Sequence, residues 1–260
     1  LFLFLVQVAS GVLLLMHFHP SASDAHQSVL VISGALPFGS LFRGVHQWAS
    51  DLLVLSLLIH VFVMLLRRSF RAPSELLWVA GLLTLGIGGA AAFTGSLLVW
   101  SQWSYEQARV ASAIMGKVPL VGPWVHRFLL GGDAVSAATL NRAYGFHAGI
   151  LPAAMTVVVL FHVVLMRRRS STETSAEVRT IPLYPDFIVR QLTVWVGGLL
   201  LVVTLAIFWH RGPGIAADPA AAADVGTGPP WYLASLHQIV RWAPADILGM
   251  EGTRFVVATV

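Results

Sequence analysis

The stretch 43–62, RGVHQWASDLLVLSLLIHVF, decides the fold because it places two histidines inside a long apolar segment. His46 and His60 are 14 residues apart, which is close to four turns of an α-helix. Both imidazoles therefore share one helix face, at levels roughly 21 Å apart. A second apolar run repeats the arrangement with His147 and His162, 15 residues apart. Two such helices side by side would present two stacked pairs of imidazoles.

Composition indicates a membrane protein. The 260 residues are 57% hydrophobic and 11% charged, against about 25% charged in a typical soluble chain. The absence of cysteine excludes disulfides, thiolate metal sites, iron–sulfur ligation and cysteine-attached haem within these residues. A sequence pI near 10.1 would suit nucleic-acid binding, but the arginines lie beside apolar segments, as is typical of membrane topology signals. We therefore expect no nucleic-acid partner.

Apolar runs predict the membrane-spanning helices, at about 1–18, 43–66, 75–100, 142–166, 186–209 and from 252 onward. Long amphipathic connections separate them, at 19–42, 101–141 and 210–250. The chain begins and ends inside apolar runs, so we expect a piece clipped at both ends. The predicted fold is an all-α membrane protein, with a four-helix transmembrane haem bundle, further transmembrane helices and long amphipathic outer loops.

Arginine distribution predicts the orientation of these helices. Arginines follow the second and fourth helices, at Arg67, Arg68, Arg71, Arg167, Arg168, Arg169, Arg179 and Arg190. Both connections should therefore face the cytoplasm. His46 and His147 then lie near the outer membrane surface, and His60 and His162 near the inner one. Because two facing imidazoles can bind one haem iron from both sides, the pattern predicts two b-type haems.

Small and acidic residues in the helices admit two interpretations each. Gly81 and Gly95 repeat the 14-residue step and would leave room for one haem face each, with Gly11 serving the outer haem from another helix. The alternative is that these glycines only allow close helix packing. Asp51 inside the second helix favours a hydrogen bond between helices over a proton relay. Core packing alone remains the alternative for the four histidines, weakened by their matched spacing and depth.

These residues carry a family resemblance. The pattern R-x-x-H-x13-H at Arg43, His46 and His60 resembles cytochrome b of the Rieske/cytochrome bc complexes. Other matching stretches are FLVQVASG at 4–11, PSELLWVAG at 73–81, FTGSLLVWSQ at 93–102 and TLNRAYGFH at 139–147. The 14 residues between His147 and His162 resemble the cytochrome b6 branch.

The resemblance divides the chain into three parts. Residues 1–169 resemble the di-haem part of that branch, 170–185 a cytoplasmic linker, and 186–260 its separate subunit IV, here fused. It implies an outer haem on His46 and His147 and an inner haem on His60 and His162.

The resemblance also implies a redox role. Arg43 and Arg142, which precede the outer histidines, would pair with haem propionates. The family oxidises a quinol at an outer site and reduces a quinone at an inner one, releasing protons outside. It works with a Rieske iron–sulfur protein and a cytochrome c-type subunit, commonly as a homodimer among membrane lipids. We expect a multi-pass protein of the bacterial inner membrane, and leave open whether this chain alone counts as a quinol:cytochrome c oxidoreductase.

The outer quinol pocket departs from the family pattern. The family motif Pro-Glu-Trp-Tyr reads PPWY at 229–232, so Pro230 stands where the family has its proton-accepting glutamate. Tyr232 and His237 are the nearby candidates for that proton. Three further differences lie in the stretch GSLLVWSQ, at Ser96, Val99 and Ser101. We expect a modified quinol site beside unaltered haem sites.

Two alternatives stay open on the sequence alone. One is a di-haem membrane anchor of another quinone-linked redox complex, which would lack the PPWY-type loop. The other is a haem-free structural membrane subunit.

Overall fold

A computed structural model of the chain describes residues 1–172, 181–221, 228–242, 246–247 and 250–251. The α-helices are, in chain order, α1 (Phe2–Leu15), α2 (Ala25–Gly34), α3 (Gly39–Leu66), α4 (Glu75–Leu97), α5 (Gln102–Gly116), α6 (Gly122–Leu130), α7 (Ala137–Tyr144), α8 (Leu151–Thr172), α9 (Ile188–Phe208) and α10 (Ala234–Trp242). Two π-helical segments lie at Gly145–Ile150 and Leu183–Phe187, and a 3₁₀ turn lies at Trp231–Leu233. A hairpin of two short strands, β1 (Asp246–Ile247) and β2 (Met250–Glu251), is antiparallel.

Four helical segments in the described part are long and apolar enough to cross a bilayer: Gly39–Leu66, Glu75–Leu97, Ala137–Arg168 and Leu183–Phe208. Helix α1 is apolar but shorter. These helices expose many leucine, valine and phenylalanine side chains. Such an apolar surface is unfavourable in contact with water and favourable in contact with lipid. The predicted all-α membrane fold is confirmed, and the chain is a multi-pass membrane protein. The sixth predicted span, from 252 onward, lies outside the described residues.

The structure forms two compact units. The first comprises Leu1–His17, Ile32–Ala92 and Ile150–Arg211. The second comprises Phe18–Val31, Phe93–Gly149 and Gly212–Val260.

Helix α3 is the centre of the first unit, where it packs against both α1 and α9. The contact with α9 is tight because Gly44 has no side chain: a Cβ atom there would lie 3.0 Å from the Cβ of Ala206. Around this point Val45, Ala49 and Val202 form a buried apolar cluster. Small residues thus bring two membrane helices into close backbone contact, where dispersion replaces the hydrophobic effect as the attraction.

A polar cluster fastens α3 to the chain just after α9. Arg211 forms an ion pair with Asp51, with Nη1 2.5 Å from Oδ2. The same guanidinium lies over the indole of Trp48, 4.0 Å from its centroid. The Trp48 indole N–H in turn donates to the carbonyl of Trp209 at 3.0 Å. Asp51 thus pairs with a residue that follows α9, whereas its position in an apolar helix had favoured a hydrogen bond to another helix.

In the second unit, short helices occupy a connection predicted only to be amphipathic. Helices α5 and α7 each begin with a capping box, at Ser101 with Ser104 and at Ser136 with Thr139. Helix α6 follows α5 and packs on it. Another segment predicted as loop, 19–42, contains α2. Before α2, the hydroxyls of two serines, Ser21 and Ser23, donate hydrogen bonds to Asp24 and hold the pKa of its carboxyl below the usual range.

Substitution of Gly44 by valine should separate α3 from α9. The added side chain would overlap Ala206, so we expect a loss of about 1–3 kcal/mol of stability. Thermal unfolding of the protein in detergent would measure this as a lower midpoint. The matched control is Gly197→Val on α9, where a Cβ meets nothing within 4 Å. Equal midpoints for the two variants would contradict the packing described here.

Candidate functional site

His46 is held by three residues of α1. The hydroxyl oxygen of Ser10 lies 2.9 Å from Nδ1 of the His46 ring. The side-chain amide of Gln7 donates to the His46 carbonyl at 2.7 Å. A Cβ atom on Gly11 would lie 3.2 Å from Cε1 of the same ring, so the glycine leaves the imidazole its place. Helix α1 therefore fixes both the backbone and the ring of this histidine.

These contacts assign the tautomer of His46. Ser10 has one hydroxyl hydrogen, and it points to the carbonyl of Val6 at 2.6 Å. The serine oxygen must then accept the hydrogen carried by Nδ1 of His46. Nε2 of the ring is left as an unprotonated nitrogen with a lone pair. A neutral imidazole whose other nitrogen donates to a fixed partner is the usual form of a metal-ligating histidine.

His60 and His162 face each other inside the first unit. Their ring centroids are 6.4 Å apart, and the ring planes make an angle of 73°. Nδ1 of His162 is buried without a hydrogen-bond partner. The described residues contain no group of three or more metal-ligating side chains. Two histidines nevertheless suffice for haem, because the porphyrin supplies the other four nitrogens.

His147 lies in the second unit on the π-helical turn Gly145–Ile150. A Cβ atom on Gly95 would lie only 2.5 Å from Cε1 of the His147 ring, so a side chain at 95 would displace the imidazole. Gly81, in the first unit, has open space where a Cβ would be. In this structure Gly11 and Gly95 thus border histidine rings, whereas the sequence argument had them border a haem face.

The two candidate propionate partners differ in their surroundings. Arg43 is buried, with 5% of its surface exposed, and its Nη2 donates to the carbonyl of Arg211. Its Nε and Nη1 have no partner in the protein. Arg142, in the second unit, donates from Nη1 to the carbonyls of Phe128 and Arg127 and lies over the Phe128 ring. Only Arg43 therefore keeps buried donors that an anion could satisfy.

The candidate quinol residues lie in the second unit. Pro230 is buried and directly precedes the 3₁₀ turn that contains Tyr232. His237 lies on α10 and is partly buried.

The three substituted residues of the stretch GSLLVWSQ have local partners. The Ser96 hydroxyl donates to the carbonyl of Phe93, and Ser101 caps α5. The Val99 carbonyl accepts a hydrogen bond from Nδ1 of His26 at 3.2 Å.

Sequence analysis missed the partners of His46. Gln7 and Ser10 are the polar side chains of an otherwise apolar helix, and they fall three residues apart on the face that also bears Gly11. That spacing was a signal for a helix contact with a polar group. It also missed the buried acid Glu106 on α5, whose surroundings are described below.

Comparison with known proteins gives consistent results. The family model described as Cytochrome b/b6/petB matches residues 1–170. A cytochrome bc complex cytochrome b subunit from Chlorobaculum thiosulfatiphilum is 32% identical over 251 residues, covering 93% of this chain and 58% of that protein. Cytochrome b6 from Prochlorococcus marinus (strain MIT 9515) is 34% identical over 166 residues, covering 64% of this chain and 76% of that protein.

A solved structure has the same fold. A chain from a structure titled Hyperthermophilic respiratory Complex III matches with a TM-score of 0.83, covering 98% of this chain and 69% of that chain at 23% identity. The chain thus spans somewhat more than half the length of the Chlorobaculum relative. The resemblance seen in the sequence motifs is confirmed by the family model and by both relatives: the chain belongs to the cytochrome b/b6 family.

Proposed function

We propose that this chain carries two b-type haems and transfers electrons across the membrane as the cytochrome b part of a quinol-oxidising bc-type complex. The observation that carries the proposal is the spacing of His60 and His162 in a chain of this family. Family membership implies b-type haem, and the four histidines are the residues we assign to hold it. Two axial histidines per iron leave no position for oxygen, so the haems supply one-electron transfer and no substrate activation.

The inner haem is assigned to His60 and His162. Two imidazoles that each bond one iron over about 2.0 Å would hold their ring centroids roughly 6.3 Å apart. The observed 6.4 Å fits this value. The angle between the ring planes is no obstacle, because each ring can turn about its bond to the metal.

The outer haem is assigned to His46 and His147. Support comes from each side separately: Ser10 contacts Nδ1 and fixes the orientation of the His46 ring, and Gly95 gives the His147 ring its space. Arg43 would hold a haem propionate through its two unpartnered N–H groups, since burying them otherwise costs free energy. Arg142 is the second candidate to bind a propionate. To do so it would give up its present hydrogen bonds to the carbonyls of Arg127 and Phe128.

The haem that His46 and His147 would hold would supply a one-electron acceptor for the quinol. Quinol oxidation takes place beside the PPWY segment, with Tyr232 and His237 as residues that contact quinol or its protons. The other electron passes to a Rieske iron–sulfur protein and on to a cytochrome c-type subunit. The haem that His60 and His162 would hold would supply the one-electron donor for a quinone near the inner surface. The complex is a homodimer in a bacterial inner membrane, and proton release outside couples the reaction to proton translocation.

The family match favours this proposal over the two alternatives. A di-haem anchor of another redox complex and a haem-free structural subunit would each have to share sequence with cytochrome b over residues 1–170. Reduced-minus-oxidised absorption spectra test the proposal directly. Two b-type haems per chain are expected, and a folded protein without b-type bands would refute it.

Replacement of His60 by leucine should remove the inner haem and leave the outer one. The leucine fills a similar volume but offers no ligand to iron. Haem per chain, measured as the pyridine haemochrome, should fall by half, and one of two redox titration waves should vanish. His17→Leu is the control, because His17 is exposed at the end of α1. Retention of both haems, or loss of both from a folded protein, would contradict separate sites.

Replacement of Arg43 by glutamine should lower the midpoint potential of the outer haem. Loss of a positive charge near the iron favours the more positive ferric state. We expect a shift of roughly tens of millivolts, as for one charge at intermediate dielectric. Redox titration of the purified complex measures it, with exposed Arg190→Gln as the matched control. A potential that rises, or equal shifts in both variants, would argue against a role for Arg43 at the haem.

A further inference from the structure

Glu106 is a buried acid that the electron path above does not use. It lies on α5 in the second unit, and 7% of its side chain is exposed. A carboxylate is rarely buried to this extent unless it is paired. Only 11% of the residues are charged, and Glu106 is one of them. It lies in the helix that follows the altered stretch GSLLVWSQ.

The carboxylate has two partners on its own helix. Nη1 of Arg109 donates to both oxygens of Glu106, at 3.1 and 3.2 Å. The side-chain amide of Gln102 donates to Oε1 at 3.4 Å. The Arg109 side chain is 49% exposed, whereas Gln102 is buried. Glu106 thus lies between a buried polar group and a cation that reaches solvent.

Two glutamines next to Glu106 bind the segment that contains the PPWY motif. The Gln102 carbonyl oxygen accepts from the backbone N–H of Asp218 at 2.7 Å. The Gln107 amide donates to the carbonyl of Gly228 at 2.8 Å, two residues before Pro230. Gln107 is buried as well. The glutamines on either side of Glu106 therefore tie α5 to the segment that leads to Pro230, the position that lacks an acid.

The other charged groups near α5 have partners of their own. On α6, which packs against α5, His126 contacts Gly116, and Arg127 pairs with Asp133 at 2.9 Å. The Asp218 carboxylate accepts from the N–H of Ala220. Among the described residues, Arg109 is thus the charged group that the structure pairs with Glu106.

We propose that Glu106 is the carboxylate that accepts a proton from quinol at the outer site, in the role that Pro230 cannot fill. This inference rests on the proposed function. In becoming quinone, a quinol loses two protons and two electrons. Glu106 takes one proton and returns it to solvent past Arg109, and His237 takes the other. The two electrons pass to two one-electron acceptors, the iron–sulfur protein and the outer haem. Tyr232 is a poor acceptor, because a phenol ionises only near pH 10.

The test replaces Glu106 by glutamine in the complete complex purified from membranes. Quinol oxidation is followed with short-chain ubiquinol and short-chain menaquinol, and haem content is recorded from spectra. We expect kcat to fall about 100-fold, as for loss of a positioned base, with little change in KM or haem content. The acid limb of the wild-type pH–rate profile should be absent from this variant. Glu75→Gln, at an exposed acid on α4, is the control and should match the wild type.

Glu106→Asp keeps the acid and guards against a fold defect in the first variant. It should recover part of the rate and keep an acid limb in the pH profile, displaced from that of the wild type. A glutamine variant with kcat within about twofold of wild type overturns the inference, since a working base contributes far more. So does an aspartate variant as slow as the glutamine variant with haems intact. If the wild-type complex binds haem but oxidises neither quinol, the proposed quinol reaction itself fails, and this inference fails with it.

Discussion

The hydrogen bond between Ser10 and His46 is an example of the physical constraint on which this structure depends: a polar side chain inside a membrane needs a partner within the protein. An imidazole in a membrane helix must find a partner for each nitrogen, because lipid offers none. Ser10 is the hydrogen-bond partner of one nitrogen of His46. The small residue Gly11 lies on the same face of α1 and admits the ring. These contacts fix the rotation of α1 about its own axis relative to α3, which its apolar residues alone would not do.

The same constraint explains why α3 is held on two sides near its N-terminal end. Helix α1 holds His46, while Arg211 after α9 holds Asp51 and stacks on Trp48. The backbone carbonyl of Arg211 also accepts a hydrogen bond from Nη2 of Arg43. The other two nitrogens of this guanidinium, Nε and Nη1, have no partner. His46, Trp48 and Asp51 have partners in the protein, whereas these two nitrogens of Arg43 have none. An unsatisfied buried guanidinium is costly, which is why it is the best sign of a missing anion.

The long helices were predictable because a span of twenty apolar residues has few other structures open to it. That the two histidines of each pair share one face of their helix followed from helical geometry alone. The partner of Asp51 was not predictable, since Arg211 is 160 residues away and no local pattern links them. The π-helical turn that carries His147 was also missed, because one extra residue per turn leaves no mark in composition. In the segment 19–42, α2 was missed because a short helix with polar residues resembles a loop in hydropathy.

The PPWY segment at 229–232 and helix α5 differ in what each contributes: the segment is rigid, and the helix carries the acid. Pro230 fixes φ at −52° and begins the 3₁₀ turn that carries Tyr232, so this loop is preorganised where it lacks an acid. Helix α5 instead carries the acid, and a helix controls the direction of a side chain better than a loop does. The glutamines at 102 and 107 then tie helix and loop together, one on each side of Glu106. The proline stiffens the loop and the glutamines fix its position against α5, so the helix that carries the buried acid and the loop that carries Tyr232 are held together by hydrogen bonds on both sides of Glu106.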